Sequence, residues 1–209
     1  VNKEKLVPNL NLFIRELKNF YKIRNTELLE NFKKNNNGLE LANKRSYLLD
    51  EVIYKCYKEY LQHFQKNIKS LEFSIIATGG FGRKELAPHS DIDIVLLHTL
   101  KNKKNLKNLV KPILHTLWNL GLRVGYATRT PQECISYSKK ELDVCTSILE
   151  SRFIVGDKNI YENLMKQYKN KIVERYGKKF IKAIFLEREK RLNEIGDTRY
   201  LLEPNVKNG

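Results

Sequence analysis

Apolar residues recur at helical spacing over the first sixty positions and at strand spacing soon after. Leu6, Leu10, Phe13, Ile14, Leu17, Phe20 and Tyr21 fall on one face of an amphipathic helix, and Asn35-Asn36-Asn37-Gly38 breaks it. A longer helix follows, with Tyr47, Leu48, Val52, Ile53, Cys56, Tyr57, Tyr60, Leu61 and Phe64 as its apolar stripe. The period then changes. Phe73-Ser74-Ile75-Ile76 is a β-favouring run that stops at Gly79-Gly80, and Ile94-Val95-Leu96-Leu97 is a second apolar strand. Leu106, Leu109, Val110, Ile113, Leu114, Leu117 and Trp118 give another helix, stopped by Gly121; Pro112 inside it predicts a kink or a late start. Residues 122–128 read as a third strand. In Thr130-Pro131-Gln132-Glu133 an N-cap, a proline at the first helical position and a capping-box acid start the next helix. The stripes Leu142-Cys145-Ile148-Leu149 and Ile160-Leu164-Tyr168-Ile172 carry helix to about residue 195, and Trp118 and the tyrosines at helical spacing are expected in the core.

Three legible strands among many helices predict an α+β, helix-dominated fold with a small mixed sheet and flanking helices. The expected division is a helical segment over 1–68, a mixed core over 69–157 and a helical extension over 158–209.

Composition narrows the class. With 41% hydrophobic and 30% charged residues among 209, the chain is long enough for a full core. No apolar run approaches the ~18 residues of a membrane span, and Val1-Asn2-Lys3-Glu4-Lys5 leads into no apolar leader. Cys56, Cys134 and Cys145 lack paired spacing, so reduced, partly buried thiols in a cytoplasmic protein are expected. The net charge of +15 raises a nucleic-acid reading. It is discounted because the 39 basic residues, mostly lysine, are spread over helices; the densest cluster, Lys101, Lys103, Lys104, Lys107 and Lys111, reads as a solvated helix face. Polyphosphate substrates and acidic partners also favour a positive field.

The chemistry concentrates between the first two strands. Gly79 and Gly80 allow positive φ and close approach of backbone amides to a phosphate. Asp91 and Asp93 stand at spacing two at the head of the next strand, which puts both carboxylates on one face roughly 6–7 Å apart. Two hard oxygen donors beside a phosphate-cradling turn suit a Mg²⁺-nucleotide site. A P-loop is excluded because Arg83-Lys84-Glu85 follows Gly82, and the dinucleotide pattern breaks at Glu85. A plain turn with solvated aspartates would not require Gly-Gly, Gly-Arg, Glu-Leu and Ser-Asp-Ile-Asp together in this order.

At these residues the chain resembles the nucleotidyltransferase superfamily, and Gly79-Gly80-Phe81-Gly82-Arg83-Lys84-Glu85-Leu86-Ala87-Pro88-His89-Ser90-Asp91-Ile92-Asp93 resembles the bacterial PII-protein uridylyltransferase family in particular. The segments 118–125, Arg129-Thr130, 149–157 and 196–207 resemble that family in the same order. The resemblance implies a polymerase-β-like nucleotidyltransferase core over 69–157 and transfer of UMP from UTP to a tyrosine of the PII nitrogen-regulatory protein, with release of pyrophosphate. It implies Asp91 and Asp93 as the catalytic, metal-holding pair for Mg²⁺ or Mn²⁺. Gly79 and Gly80 would meet the β- and γ-phosphates, and Ser90 can add a hydroxyl donor. Arg83 is either a triphosphate clamp or the partner of Glu85 or Asp91 in a salt bridge.

The third strand holds no acid to complete a carboxylate trio. Where the family has Gly-His-Ser-Val-Arg, this chain has Gly125-Tyr126-Ala127-Thr128-Arg129, and Asp143 and Glu150 are the nearest acids downstream. The residues alone leave open an adenylyl- or RNA-directed transferase, or a nucleotide-binding module without turnover. Family members also carry a His-Asp hydrolase domain that removes the uridylyl group and glutamine-sensing domains. This chain resembles a fragment without them, since none of His63, His89, His98 and His115 is followed by Asp.

Overall fold

A computed structural model describes residues 10–64, 73–99 and 103–194. In chain order the elements are α1 (Leu10–Asn35), α2 (Gly38–Phe64), β1 (Phe73–Ala77), the four-residue α3 (Gly79–Gly82), β2 (Ile92–His98), α4 (Lys103–Asn119), β3 (Val124–Arg129), α5 (Pro131–Ser138), α6 (Leu142–Leu149), β4 (Arg152–Gly156), α7 (Lys158–Tyr168), a π-helical turn at Lys169–Val173, and α8 (Glu174–Glu194). Helices dominate and the sheet is small and mixed, as the patterning predicts.

Strand order is β3-β2-β1-β4. β1 pairs antiparallel with β2 and with β4, while β2 and β3 run parallel. Alternation along the strands builds two cores, one on each face. Phe73, Ile75, Ile92, Ile94 and Leu96 join Val52, Ile53 and Cys56 of α2 and Ile113, Leu114 and Leu117 of α4. On the other face Ile76, Val95 and Leu97 pack with Cys134 and Ile135 of α5, Cys145 and Ile148 of α6, and Leu164 and Tyr168 of α7. Asp93 has the parity of Val95 and Leu97, so it opens toward the second face, and Asp91 immediately precedes the strand.

Local signals held at several points. α1 stops at Asn35, where Asn36 takes φ 50°, and α2 starts at Gly38. Thr130 caps α5 through a complete capping box with Pro131 at its first turn. The three cysteines are free and buried.

Four expectations are corrected. β4 interrupts what reads as continuous helix; it is a five-residue edge strand, partly covered on both faces, and so shows no alternation. α4 does not start late, because it runs from Lys103 through Pro112 to Asn119. The carbonyl that loses its partner belongs to Asn108, an exposed residue. Trp118 is not core but 44% exposed, packed edge-on to His115 and Tyr126. Tyr47 also faces solvent, where Lys84 Nζ sits 4.3 Å from its ring centroid. Leu6 and the 196–207 segment lie outside the described residues, as do the side chains of Phe64 and of Lys103 and Lys104.

Candidate active site

β1 delivers the chain to the site through Thr78, whose N–H bonds the Asp93 carbonyl at 3.0 Å and locks the end of β1 to the start of β2. The glycines that follow form the short helix α3. As its first residues, Gly79 and Gly80 have N–H groups with no intrahelical acceptor. Positive φ falls on Gly79, at 57°, and not on Gly80. A Cβ on Gly80 would meet only ordinary contacts, at 3.5 Å from the Glu85 carbonyl, so Gly80 is not demanded by backbone conformation. Gly82 is demanded by packing: a Cβ there would lie 2.2 Å from the Glu150 carbonyl.

Buried Phe81 and Leu86 pin the loop that leads to β2. Between them and Asp91, two residues other than glycine hold positive φ, Lys84 at 63° and His89 at 69°. Such conformations cost free energy and gather where surrounding structure enforces a site.

A cleft of about 670 Å³ opens over this loop, with Gly80, Glu85, Ser90, Asp91, Asp93 and Arg123 on its walls. A second cleft of about 340 Å³ shares Asp93 and adds Gly79, Gly125, Arg129, Asp143 and Ser147. Asp93 therefore forms the ridge between the two. The pairing of β2 with β3 sets Gly125 opposite Asp93, and an ideal Cβ on Gly125 would stand 2.4 Å from Asp93 Oδ1. Any larger residue at that register position would shift the carboxylate from this place.

Arg83 is held by two carboxylates in this structure. Its Nε donates to Glu85 Oε2 at 2.7 Å and its Nη1 to Glu150 Oε2 at 2.6 Å, with no contact to Asp91. These carboxylates, Glu85 foremost, strengthen its hold on the proton. The arginine beside Asp91 is Arg123, whose Nε is 3.1 Å from Asp91 Oδ1 and whose guanidinium also donates to the His89 carbonyl. Spacing gave Arg123 no role, since the contact joins the loop to the segment before β3.

Arg152 was missed for the same reason. From β4 it donates to the Asp50 carboxylate of α2 at 2.6 and 3.0 Å and to the Phe81 carbonyl at 3.2 Å, tying α3 to two elements. Burial pushes the Asp50 carboxyl up from its ordinary range, and the Arg152 pair opposes that rise.

Among the described residues no three His, Cys, Asp or Glu side chains group as a complete metal cage. Two carboxylates on a cleft wall nonetheless fit Mg²⁺, which commonly takes one or two protein carboxylates and completes its shell with phosphate and water. The room kept over Gly125 for Asp93 is part of that fit. No helix of the described residues is long and apolar enough to cross a membrane.

A family model described as nucleotidyltransferase domain matches residues 57–188, which contain the whole sheet and both clefts. The chain is similar to the bifunctional uridylyltransferase/uridylyl-removing enzyme of Rhodopseudomonas palustris, 35% identical over 187 residues, covering 88% of this chain and 20% of that protein. The enzyme of the same description from Azospirillum brasilense is 37% identical over 186 residues, with 88% and 20% covered. That from Caulobacter vibrioides is 37% identical over 175 residues, with 82% and 19% covered. The chain thus spans about a fifth of the length of these curated relatives.

Proposed function

The chain belongs to the nucleotidyltransferase domain family, and from that premise we propose that it transfers UMP from UTP to a tyrosine hydroxyl of a PII signalling protein. One observation carries the reading: Asp91 and Asp93 share a nucleotide-sized cleft with Gly80, Ser90 and Arg123. The uridylyl donor follows the relatives, which are described as bifunctional uridylyltransferase/uridylyl-removing enzymes, and the acceptor follows the resemblance carried by residues 79–93. Residues 69–157 as the catalytic core, and a cytoplasmic setting, are parts of the same proposal.

In this reading the triphosphate lies in the larger cleft, against Gly80 and the Ser90 hydroxyl, with Gly79 at the border toward the second cleft. Asp91 and Asp93 would hold Mg²⁺ or Mn²⁺, which would supply charge neutralisation at the reacting phosphate. Arg123 lines the same cleft and would offer the phosphates a planar guanidinium, which suits them. Arg83 keeps α3 and α6 together through Glu85 and Glu150, so its part in nucleotide binding is to brace the glycine segment. The acceptor oxygen attacks the α-phosphorus, the bond to the bridging oxygen breaks, and pyrophosphate leaves with that electron pair. The acceptor enters by the second cleft, where Asp143 offers a carboxylate for the hydroxyl proton. Glu150 is excluded from that role by its bond to Arg83.

The relatives' description also names uridylyl removal. No histidine of this chain precedes an aspartate, and we assign it no part in that reaction; release of UMP from uridylylated PII by this chain would overturn the assignment. The main test is incubation with each α-labelled triphosphate, Mg²⁺ and a purified PII protein. Label from UTP on a PII tyrosine is the expected outcome. Label from ATP alone, or on RNA instead of protein, would replace this reading.

A further inference from the structure

The two edges of the sheet are protected unequally. β4 carries a register shift at Ile75/Ile76 and packs under α2 and α7. β3, the other edge, keeps an unbroken six-residue register with β2, contains no proline, and has a charge only at Arg129. Open edges are ordinarily blunted by bulges, proline or charge, because unpaired N–H and C=O groups recruit another strand.

Beside this edge a groove of about 480 Å³ runs between β3 and α4. Trp118 and Tyr126 form its apolar wall, 44% and 50% exposed, with ring centroids 6.4 Å apart. Lys107, Lys111 and His115 stand along its helical rim. Its acid is Glu133, whose carboxylate already accepts from the Thr130 N–H at 2.7 Å and the Thr130 hydroxyl at 3.0 Å. Two lysines against this one carboxylate leave the lining net positive. Tyr126 follows Gly125, the register partner of Asp93, so the open edge leads out of the acceptor cleft.

We propose that the β3 edge and its α4 groove dock an extended, acidic segment of the polypeptide that carries the acceptor hydroxyl. This rests on the reading that the acceptor is a protein. Main-chain pairing to β3 supplies affinity, and alternate side chains of the segment enter the Trp118–Tyr126 groove. Lys107 and Lys111 draw the acidic residues in, which acts on encounter and specificity.

Trp118 is the sole tryptophan of the chain, so its emission reports the groove directly. A tryptophan-free PII protein is titrated into the full chain without UTP, and transfer from UTP is assayed in parallel. A saturable change in Trp118 emission is expected, with a midpoint near the acceptor KM. In the Lys107→Glu, Lys111→Glu double variant both should rise roughly tenfold or more, with UTP affinity and melting temperature as in the parent. Emission that ignores PII while transfer saturates would overturn the proposal, as would a wild-type acceptor KM in the double variant. An emission change that tracks the chain's own concentration would assign the edge to a second copy instead. Saturable, salt-sensitive docking without any transfer would sink the transfer reading and leave the docking surface standing.

Discussion

A single carboxylate illustrates how narrowly the site is defined. Asp93 stands on the ridge between two clefts and occupies space that any side chain at position 125 would fill. Asp91→Asn and Asp93→Asn should each lower transfer on the order of 10²–10³ or more, since each removes charge stabilisation from the reacting phosphate. Both side chains are at least partly exposed, so melting should barely move; near wild-type turnover by either variant would remove the pair from the mechanism. Gly125→Ala reaches the same carboxylate indirectly. Its Cβ must push Asp93 aside, and kcat should fall roughly tenfold or more while the exposed position leaves stability nearly unchanged. The glycines of α3 separate by cause. Gly80→Val should fold and lose UTP affinity in a calorimetric titration, because a Cβ there meets only ordinary contacts and the added bulk stands on the wall of the cleft proposed for the triphosphate. Gly82→Ala should destabilise, since its Cβ would strike the backbone at Glu150. An unchanged UTP affinity in Gly80→Val would reduce the glycine pair to a turn.

Elements with a one-sided environment were legible in the sequence. α2 and α4 carry continuous stripes and the Thr130 cap announces α5, while β2, buried on both faces, shows instead as an unbroken apolar run. β4 was not legible, because an edge strand covered on both sides by helices loses the period of two that marks a strand. Trp118 and Tyr47 were misplaced for a related reason: periodicity gives the face of a helix, but not where its neighbours end. At the site, chain-local features were readable, namely the glycines, Asp91 and Asp93. Contacts made by tertiary pairing were not, and Arg123, Gly125 and Arg152 are all of that kind. Arg152 gives this a measurable form. It bridges α2, α3 and β4, and Arg152→Ala leaves the Asp50 carboxylate buried without its cation. Loss of the pair should cost roughly 2–3 kcal/mol in denaturant unfolding. UTP affinity should fall with it, because α3 loses the bond to the Phe81 carbonyl. A variant with full stability would show that the pair does not brace the phosphate-binding segment.

At the scale of the whole molecule, one sheet separates two cores, and each contains a cysteine that can report on it. Cys56 lies in the layer of α2 and α4; Cys134 and Cys145 lie in the layer of α5 to α7. Burial pushes the Cys56 and Cys134 thiols up to about 12 from an ordinary value of 9.0, and raises Cys145 as well. A buried thiol in an apolar layer is neutral and unreactive. At pH 8 the native protein should therefore resist an aromatic disulfide reagent at all three positions, and unfolded protein should react at all three. The sign of the pH effect follows from the direction of the shift. The folded state keeps protons that the unfolded state releases above about 9, so each thiol's contribution is complete below that pH and is lost as pH rises toward 12. The loss should approach ~1.4 kcal/mol per pH unit for each strongly shifted thiol. Cys56→Ala should relieve that alkaline slope on one layer and Cys134→Ala on the other. Because both layers share β1 and β2, labelling at intermediate denaturant should expose Cys56 and Cys134 together. Exposure of Cys134 at a clearly lower denaturant concentration than Cys56 would show that the sheet does not couple the two cores.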